Sequence, residues 1–339
     1  ICMINFFLLK IRFFFVGTFL FLLVSCNQTN RNSYGEHISA SIEKSPMMQR
    51  LSHEYLEINM DHPIEISADS LQNKLVDISY IPLDSKELIG EVDRVLLYNE
   101  KIYILDAYIA ESVFIFDMNG RLLCVIDDRG EGPEEYIGLA GMSIDTSIKE
   151  LCLKDRLSSR TLYYDLDGKF LRKEASCPAF FINAMDGNII NQLGFGQSYD
   201  ENLNYHIAVS RGGSICCKAF PFAPIQKRYT VSRIAQYNSC NELLFTPTLS
   251  DTVYCIKSPK EYYVKYVIKH KRSIWDKSQE ELSWREIDCL IKQDGYTAFG
   301  GPVHETSDYL FFSLSKGNNN LIVNQNYYYD KRKQCRERI

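Results

Sequence analysis

The segments KIYILD (Lys101–Asp106) and VFIFDMNGRLL (Val113–Leu123) decide the fold, because the chain repeats them as KELCLKD (Lys149–Asp155) and TLYYDLDGKFL (Thr161–Leu171). Both copies consist of short runs rich in β-branched and aromatic residues, which favour strands. Repeats of roughly 40 to 50 residues built from short strands and tight turns are typical of propeller blades. The repeat therefore predicts an all-β propeller.

The two copies keep a nearly constant spacing along the chain. Gly120 and Gly168 lie 48 positions apart, and Asp106 and Asp155 lie 49 apart. Each glycine ends a turn, Asp-Met-Asn-Gly or Asp-Leu-Asp-Gly, which supplies the positive φ that a tight hairpin requires. We expect both glycines in equivalent hairpins between the two outer strands of successive blades. The turn aspartates lack the spacing of a calcium loop, so we expect them to serve turn geometry.

More divergent units bring the count to five. They are DGNIINQL (Asp186–Leu193) with YHIAVSRGGSICCKAF (Tyr205–Phe220), NELLFTP (Asn241–Pro247) with DTVYCI (Asp251–Ile256), and DYLFFSLS (Asp308–Ser315) with NYYYDKRK (Asn326–Lys333). A further strand-like segment, LVDISYIPLDS (Leu75–Ser85), precedes the first unit without a partner of its own. In propellers such a strand often completes the last blade and closes the ring.

One segment departs from the strand pattern. Ser278-Gln279-Glu280-Glu281 matches a capping box, and Asp294-Gly295 provides a stop signal. Between them, apolar residues recur at helical spacing: Leu282, Trp284, Ile287, Leu290 and Ile291. We expect a helical insertion at about residues 278–293, packed against the propeller.

The N-terminus predicts export. Lys10 and Arg12 precede an apolar run, Phe13–Ser25, that is shorter than the roughly 20 residues of a membrane-spanning helix. The sequence Leu23-Val24-Ser25-Cys26 resembles the bacterial lipobox, which implies that Cys26 receives a lipid. The alternative is an ordinary secretory signal with a chance cysteine near the cut.

These features predict three regions. Residues 1–25 are expected to be a lipoprotein signal peptide, residues 26–74 a polar tether and linker, and residues 75–339 the propeller domain. The formal net charge is −5 and the pI is near 5.8, so nucleic acid is not an expected partner. Of the 11 cysteines, nine lie beyond the export segment, and none of these forms a C-x-x-C pair. We expect most of them to be reduced core residues.

The sequence offers little catalytic chemistry. It contains no G-x-S-x-G, H-x-H or H-E-x-x-H motif, and its six histidines are scattered. We therefore assign no catalytic, metal or cofactor-binding residue. His206 and His270 could still converge on the propeller axis, and paired carboxylates for glycoside hydrolysis stay open because their separation is spatial. The clustered tyrosines are expected to pack in the core rather than to stack on sugars.

One loop is the richest candidate for ligand contact. In RGEGPEEY (Arg129–Tyr136), Gly130, Gly132 and Pro133 build a sharp turn between one blade and the next. It presents five side chains that could contact a ligand: Arg129, Glu131, Glu134, Glu135 and Tyr136. The alternative is a blade-linking turn whose charges face water.

With these motifs in this order, the chain resembles the six-bladed β-propeller lipoproteins of Bacteroides and relatives, which are similar in shape to NHL-repeat propellers. The resemblance rests on the lipobox and on SYIPLDS, IYILD, FDMNGRLL, RGEGPEEY and SDTVYCI, and it covers Leu75–Lys333. It implies six blades, whereas five units are recognisable. We therefore expect the last blade to be incomplete and the chain to be truncated at its C-terminus.

The resemblance implies a location but supplies no activity. We expect a lipoprotein of the outer membrane of a Gram-negative bacterium, tethered through its N-terminal lipid and facing the periplasm or the cell surface. Its expected role is a scaffold that binds a glycan, a peptide or a protein. The alternatives are a propeller lyase or glycosidase acting on polysaccharide, and a truncated member without function.

Overall fold

The structure is a computed structural model that describes residues 38, 40–61, 63–65, 79–84, 87–179, 181–193, 204–227, 235–300, 302–333 and 335–338. Within these residues the strands form five sheets that follow one another along the chain as the blades of a propeller. Three short strands precede the blades: β1 (Gln49–Arg50), β2 (Leu56–Asn59) and β3 (Ile64–Glu65).

Blades 1 to 3 are four-stranded antiparallel sheets. Blade 1 comprises β4 (Arg94–Tyr98), β5 (Lys101–Asp106), β6 (Ser112–Asp117) and β7 (Leu122–Ile126). Blade 2 comprises β8 (Leu139–Asp145), β9 (Glu150–Asp155), β10 (Arg160–Tyr164) and β11 (Phe170–Ala175). Blade 3 comprises β12 (Phe181–Met185), β13 (Asn188–Gln192), β14 (Tyr205–Arg211) and β15 (Ser214–Pro221).

Blades 4 and 5 each gain strands from the N-terminal segment. Blade 4 comprises β16 (Gln236–Tyr237), β17 (Leu243–Phe245), β18 (Thr252–Ser258) and β19 (Glu261–Lys269), with β1 and β2 added beside β19. In blade 5 the first strand is split into β20 (Ala298–Phe299) and β21 (His304–Glu305), followed by β22 (Tyr309–Asn318), β23 (Leu321–Asp330) and β24 (Cys335–Arg338), with β3 beside β24.

Apolar side chains join each blade to the next from blade 1 through blade 5. The shared clusters contain Tyr103 with Leu153 (blades 1 and 2), Cys152 with Ile182 (blades 2 and 3), Ile190 with Leu243 (blades 3 and 4), and Val253 with Phe312 (blades 4 and 5). The tyrosine run 327–329 is buried, which confirms the expected packing role of these aromatics. The eight cysteines whose side chains are described are free thiols, and four of them are buried.

The predicted hairpins are confirmed. Gly120 and Gly168 have φ of +81° and +89° and close the β6–β7 and β10–β11 turns. Asp117 Oδ1 accepts hydrogen bonds from the backbone N–H groups of Asn119 and Arg121, both at 2.9 Å, and Asp165 does the same in blade 2. These aspartates therefore serve turn geometry.

The repeated aspartate at the end of each second strand is also structural. Asp106 accepts backbone N–H groups from the segment before its blade, at Gly90 (2.7 Å), and from the following loop, at Ala110 (3.0 Å). Asp155 repeats this pattern with Ile137 and Leu157, each at 3.0 Å. Burial opposes ionisation of Asp106, but its backbone donors outweigh burial and lower its pKa. The 49-residue spacing thus marks a conformational requirement of the blade.

The N-terminal segment follows the outer strands of four blades. Met47 bridges Lys218 of blade 3, β1 and β2 pair with β19, β3 pairs with β24, and Asp84 bridges Arg121 of blade 1, all in parallel orientation. We call the described residues between 47 and 84 the N-terminal belt. Part of the segment expected to be a linker, residues 26–74, is therefore built into the sheets.

The five units counted in the sequence are confirmed, because the described residues form five sheets of at least four strands each. The sixth blade that the resemblance implies is wrong for these residues. The described part of LVDISYIPLDS, residues 79–84, lies at the outer edge of blade 1, where Asp84 N–H donates to Gly120 O (2.8 Å). Edge pairing there extends an existing sheet instead of completing a sixth one. The rest of that segment, and the expected lipid site Cys26, lie outside the described residues.

The inserted helix is present but begins later than expected, as α1 (Trp284–Lys292). Its capping box is formed by Ser283 and Glu286, because Ser278 instead caps the end of a 3₁₀ helix, Ile274–Lys277. Ile287 and Ile291 are buried against the propeller, whereas Trp284 remains 55% exposed. A second 3₁₀ helix spans Pro224–Gln226. Among the described residues, no helix has the length and apolar character to cross a bilayer.

Candidate functional site

The turns between the first two strands of blades 2, 3 and 4 surround an open cleft of about 160 Å³. Blade 2 contributes residues 145–147, blade 3 contributes residues 184–186, and blade 4 contributes Tyr237, Asn241 and Lys257. Most of these side chains carry hydroxyl, amide, carboxylate or ammonium groups. The cleft is therefore suited to a small, hydrophilic ligand.

Asp145 shapes the cleft. Its Oδ1 accepts hydrogen bonds from the Ser147 N–H (3.0 Å) and hydroxyl (2.6 Å), and its Oδ2 accepts the Gly187 N–H of blade 3 (2.7 Å). Both oxygens are thus used to hold two turns together. Asp186, by contrast, is exposed and has φ of +52°, a strained conformation that aspartate tolerates better than most residues. It is the carboxylate in the cleft that can face a ligand.

Tyr237 forms part of the cleft wall. Its hydroxyl donates to the Ala184 carbonyl of blade 3 at 2.7 Å. Burial, followed by the charges of Asp145 and Asp186, raises the pKa of Tyr237 well above its ordinary value. The phenol therefore stays protonated and fixes the first strand of blade 4 to that of blade 3.

Arg94 lies deeper between the first strands. From β4 of blade 1, its Nη1 donates to the Ile182 carbonyl of blade 3 at 3.2 Å. Burial lowers the pKa of Arg94 to about 10. In the described part of the chain, no carboxylate forms an ion pair with this guanidinium.

The predicted loop Arg129–Tyr136 lies on the opposite face, because it connects the last strand of blade 1 to the first strand of blade 2. Arg129 Nη1 forms an ion pair with Glu111 Oε2 at 3.0 Å. Tyr136 is fully buried, and its hydroxyl donates to the carbonyls of Glu111 (2.7 Å) and Ile126 (3.2 Å). Both residues therefore hold the loop in place.

One of the three glutamates of this loop stabilises it, and the other two are exposed to solvent. Glu135 Oε2 accepts the Gly132 N–H at 2.8 Å, and Lys173 Nζ donates to the Glu135 carbonyl. Glu131 and Glu134 are exposed. Of the five candidates, Arg129, Glu135 and Tyr136 stabilise the loop, and Arg129, Glu131 and Glu134 are exposed to solvent.

The two histidines that could have met on the axis are separated. His206 is buried in blade 3, where its Nε2 lies 3.1 Å from Gln226 Oε1 and burial lowers its pKa to about 4. His270 follows β19, and its Nε2 lies 3.0 Å from Asp251 Oδ1. Within the described ranges, no group of three or more histidine, cysteine or acidic side chains is placed to bind a metal ion.

The family assignment rests on most of the chain. Residues 56–335 match a family described as a domain of unknown function, DUF4934. The chain belongs to the DUF4934 family. The match begins at β2, so the family match includes part of the N-terminal belt. No curated protein matches the chain.

One of three similar solved structures supports the propeller fold of this DUF4934 member. A Bacteroides fragilis protein described as exported has a TM-score of 0.63 and 17% identity, covering 84% of this chain and 80% of its own. A DUF4221 member from Bacteroides vulgatus scores 0.46 at 12% identity (73% and 79% covered). An inactive virginiamycin B lyase from Staphylococcus aureus, solved with quinupristin, scores 0.41 at 10% identity (74% and 80% covered). At 17% identity, the likeness to the Bacteroides fragilis protein shows the fold alone.

The residues of the cleft were not singled out from the sequence of this DUF4934 member. Asp186 and Asn241 stand at the start of two repeat units, where they indicate turns. Arg94 opens the strand before the first unit, where a charged residue indicates a solvated edge. Only the arrangement of the blades brings these turns and this strand together.

Proposed function

We propose that the protein is an exported, lipid-anchored propeller that binds a polar ligand, a glycan or a peptide segment, in the cleft between blades 2, 3 and 4. The observation that carries this proposal is the convergence of three turns on one cleft with exposed Asp186, Asn241 and Lys257 at its rim. Such a set offers both donors and acceptors to a hydrophilic ligand.

The composition of the cleft favours binding over catalysis. A glycosidase needs two carboxyl groups in separate acid and base roles, and a lyase needs a base within reach of the proton it removes. In the cleft, the Asp145 oxygens are occupied by neighbouring N–H and O–H groups, which leaves Asp186 without a second free carboxylate.

A screen of glycans and peptides against the mature chain tests the binding role. We expect the screen to identify a ligand whose affinity for the protein falls at least tenfold when Asp186→Asn or Lys257→Ala is introduced. Lys260→Ala is the matched control, because Lys260 is exposed on the β18–β19 turn of the same blade but lies outside the cleft lining. A ligand bound equally by all three variants would not use this cleft.

The lipid anchor at Cys26 is tested in a separate experiment. The proposal places a lipid on Cys26, supported by the motif Leu23-Val24-Ser25-Cys26 after the apolar run. Mass spectrometry of the N-terminal fragment should find Cys26 as a lipid-modified first residue. A mature chain that starts elsewhere without lipid would refute the lipoprotein assignment. Protease treatment of intact cells would then distinguish the cell surface from the periplasmic side of the outer membrane.

A further inference from the structure

Arg94 is a half-buried cation that contacts the first strand of blade 3. A guanidinium has five N–H donors, and the Ile182 carbonyl is the hydrogen-bond partner that the described residues provide. The side chain is only partly exposed. Glu305, by contrast, contacts both Lys265 and Lys331.

A half-buried cation that forms no ion pair with the described residues is disfavoured, because burial removes part of its hydration. Replacing such a residue by an apolar one would relieve that cost. A guanidinium at this position is instead suited to pair with a carboxylate, in the bidentate geometry that arginine favours. The arrangement therefore provides one half of an ion pair.

A ligand that enters through the cleft can supply the carboxylate partner of Arg94. Arg94 donates to the carbonyl of Ile182, and Ala184, which lines the cleft, lies two residues further along β12. Two residues of a strand span about 7 Å. A ligand at the rim would therefore have to extend about 7 Å inward to lie level with the Ile182 carbonyl that accepts from Arg94.

The polarity of the rim narrows the class of ligand. Asp186 and Asn241 offer acceptors, Lys257 offers donors, and Met185 provides one apolar surface. This combination suits the hydroxyl groups of one sugar ring, and the cleft volume of about 160 Å³ suits a residue of that size. We propose that the cleft binds an acidic sugar, a uronic acid residue, whose carboxylate pairs with Arg94. This inference rests on the proposed function and deepens it.

Calorimetric titration of the mature chain tests the pairing. The probes are galacturonate and glucuronate, with galactose and glucose as their neutral counterparts and glycine as a carboxylate without a sugar ring. The variants are Arg94→Gln, Arg94→Lys and, as control, Arg160→Gln, because Arg160 is an exposed arginine at the start of β10. Arg94→Lys retains the positive charge and keeps the test valid if the glutamine variant does not fold.

We expect an acidic sugar to bind at least tenfold more tightly than its neutral counterpart. Arg94→Gln should abolish this preference, Arg94→Lys should weaken it, and Arg160→Gln should leave it unchanged. Equal binding of acidic and neutral sugars, glycine binding as tightly as the uronates, or failure of the wild type to bind either uronate would each refute the inference. A neutral ligand that depends on Lys257 but not on Arg94 would refute it while leaving the proposed function intact.

Discussion

Glu305 stabilises the junction between blades 4 and 5 by charge. Its side chain is only 3% exposed, and its carboxylate accepts hydrogen bonds from Lys265 Nζ (2.8 Å), Lys331 Nζ (2.5 Å), Asn238 Nδ2 (2.7 Å) and the Tyr266 hydroxyl. Because both oxygens are engaged, the burial of this charge is compensated. The residue is therefore a structural counterpart to Arg94, which has no such partners among the described residues.

This network predicts a loss of stability in acid. Burial opposes ionisation of Glu305, but the lysine, tyrosine and amide donors lower its pKa from 4.5 to about 2. The resulting stabilisation is complete above pH 4.5 and is lost as the pH falls from there towards 2. We expect Glu305→Gln to reduce the free energy of unfolding by on the order of 3 kcal/mol at pH 7 and far less near pH 2.

Urea denaturation at both pH values measures this difference. Glu131→Gln is the matched control, since Glu131 is exposed on the loop between blades 1 and 2 and should have little effect at either pH. If Glu305→Gln were equally destabilising at pH 7 and pH 2, the charge of Glu305 would not be the source of its contribution.

At the scale of the element, the β6–β7 hairpin combines two constraints at Gly120. Its φ is +81°, and a Cβ built there would lie 1.9 Å from the Pro82 carbonyl oxygen of the N-terminal belt. Gly212 has a φ of the same sign, +54°, but a Cβ at that position would have no atom within 4 Å. Comparing substitutions at Gly120 and Gly212 therefore separates the cost of backbone strain from the cost of a clash with the N-terminal belt.

We expect Gly212→Ala to cost about 1 kcal/mol through backbone conformation alone. Gly120→Ala should cost about 1 to 3 kcal/mol more, because the belt must move away from the hairpin. Guanidinium denaturation of the two variants measures both losses in the free energy of unfolding. Equal costs would mean that the belt does not press on the hairpin in solution.

At the scale of the whole molecule, the N-terminal belt links parts of the ring that share little core. Among the described residues, no apolar cluster contains side chains of both blade 5 and blade 1. The belt pairs with the outer strands on both sides of this junction, through β3 and Asp84. Ile58 of β2 anchors it, since this side chain is 1% exposed within the cluster of blades 4 and 5.

Removing this anchor should weaken the entire propeller. Ile58→Ala deletes a buried side chain and should cost about 2 to 5 kcal/mol, with a matching fall in Tm. Leu56→Ala on the same strand is the control, because Leu56 is 39% exposed and its truncation should cost much less. Thermal denaturation followed by circular dichroism makes the comparison. Equal melting temperatures for the two variants would show that the belt is not part of the cooperative unit.

The sequence by itself determined the local chemistry of the blades. The turns at Gly120 and Gly168 were predicted correctly, because positive φ is a requirement of a few neighbouring residues and is visible in Asn-Gly and Asp-Gly. The repeat spacing likewise predicted strands and a propeller. The helix was located, but its start was misplaced, since both Ser278 and Ser283 begin an S-x-x-E pattern and the choice depends on the preceding 3₁₀ helix.

Only the tertiary structure decided the course of the belt and the contents of the cleft. Strand pairing in the belt joins residues far apart in the chain, such as Asp84 and Arg121 or Ile64 and Glu337. Sequence periodicity indicates that a strand has a buried face or an open edge. It does not indicate which other strand or segment covers that face or edge. Asp145 and Gly187 are joined for the same reason, because the packing of neighbouring sheets sets their proximity.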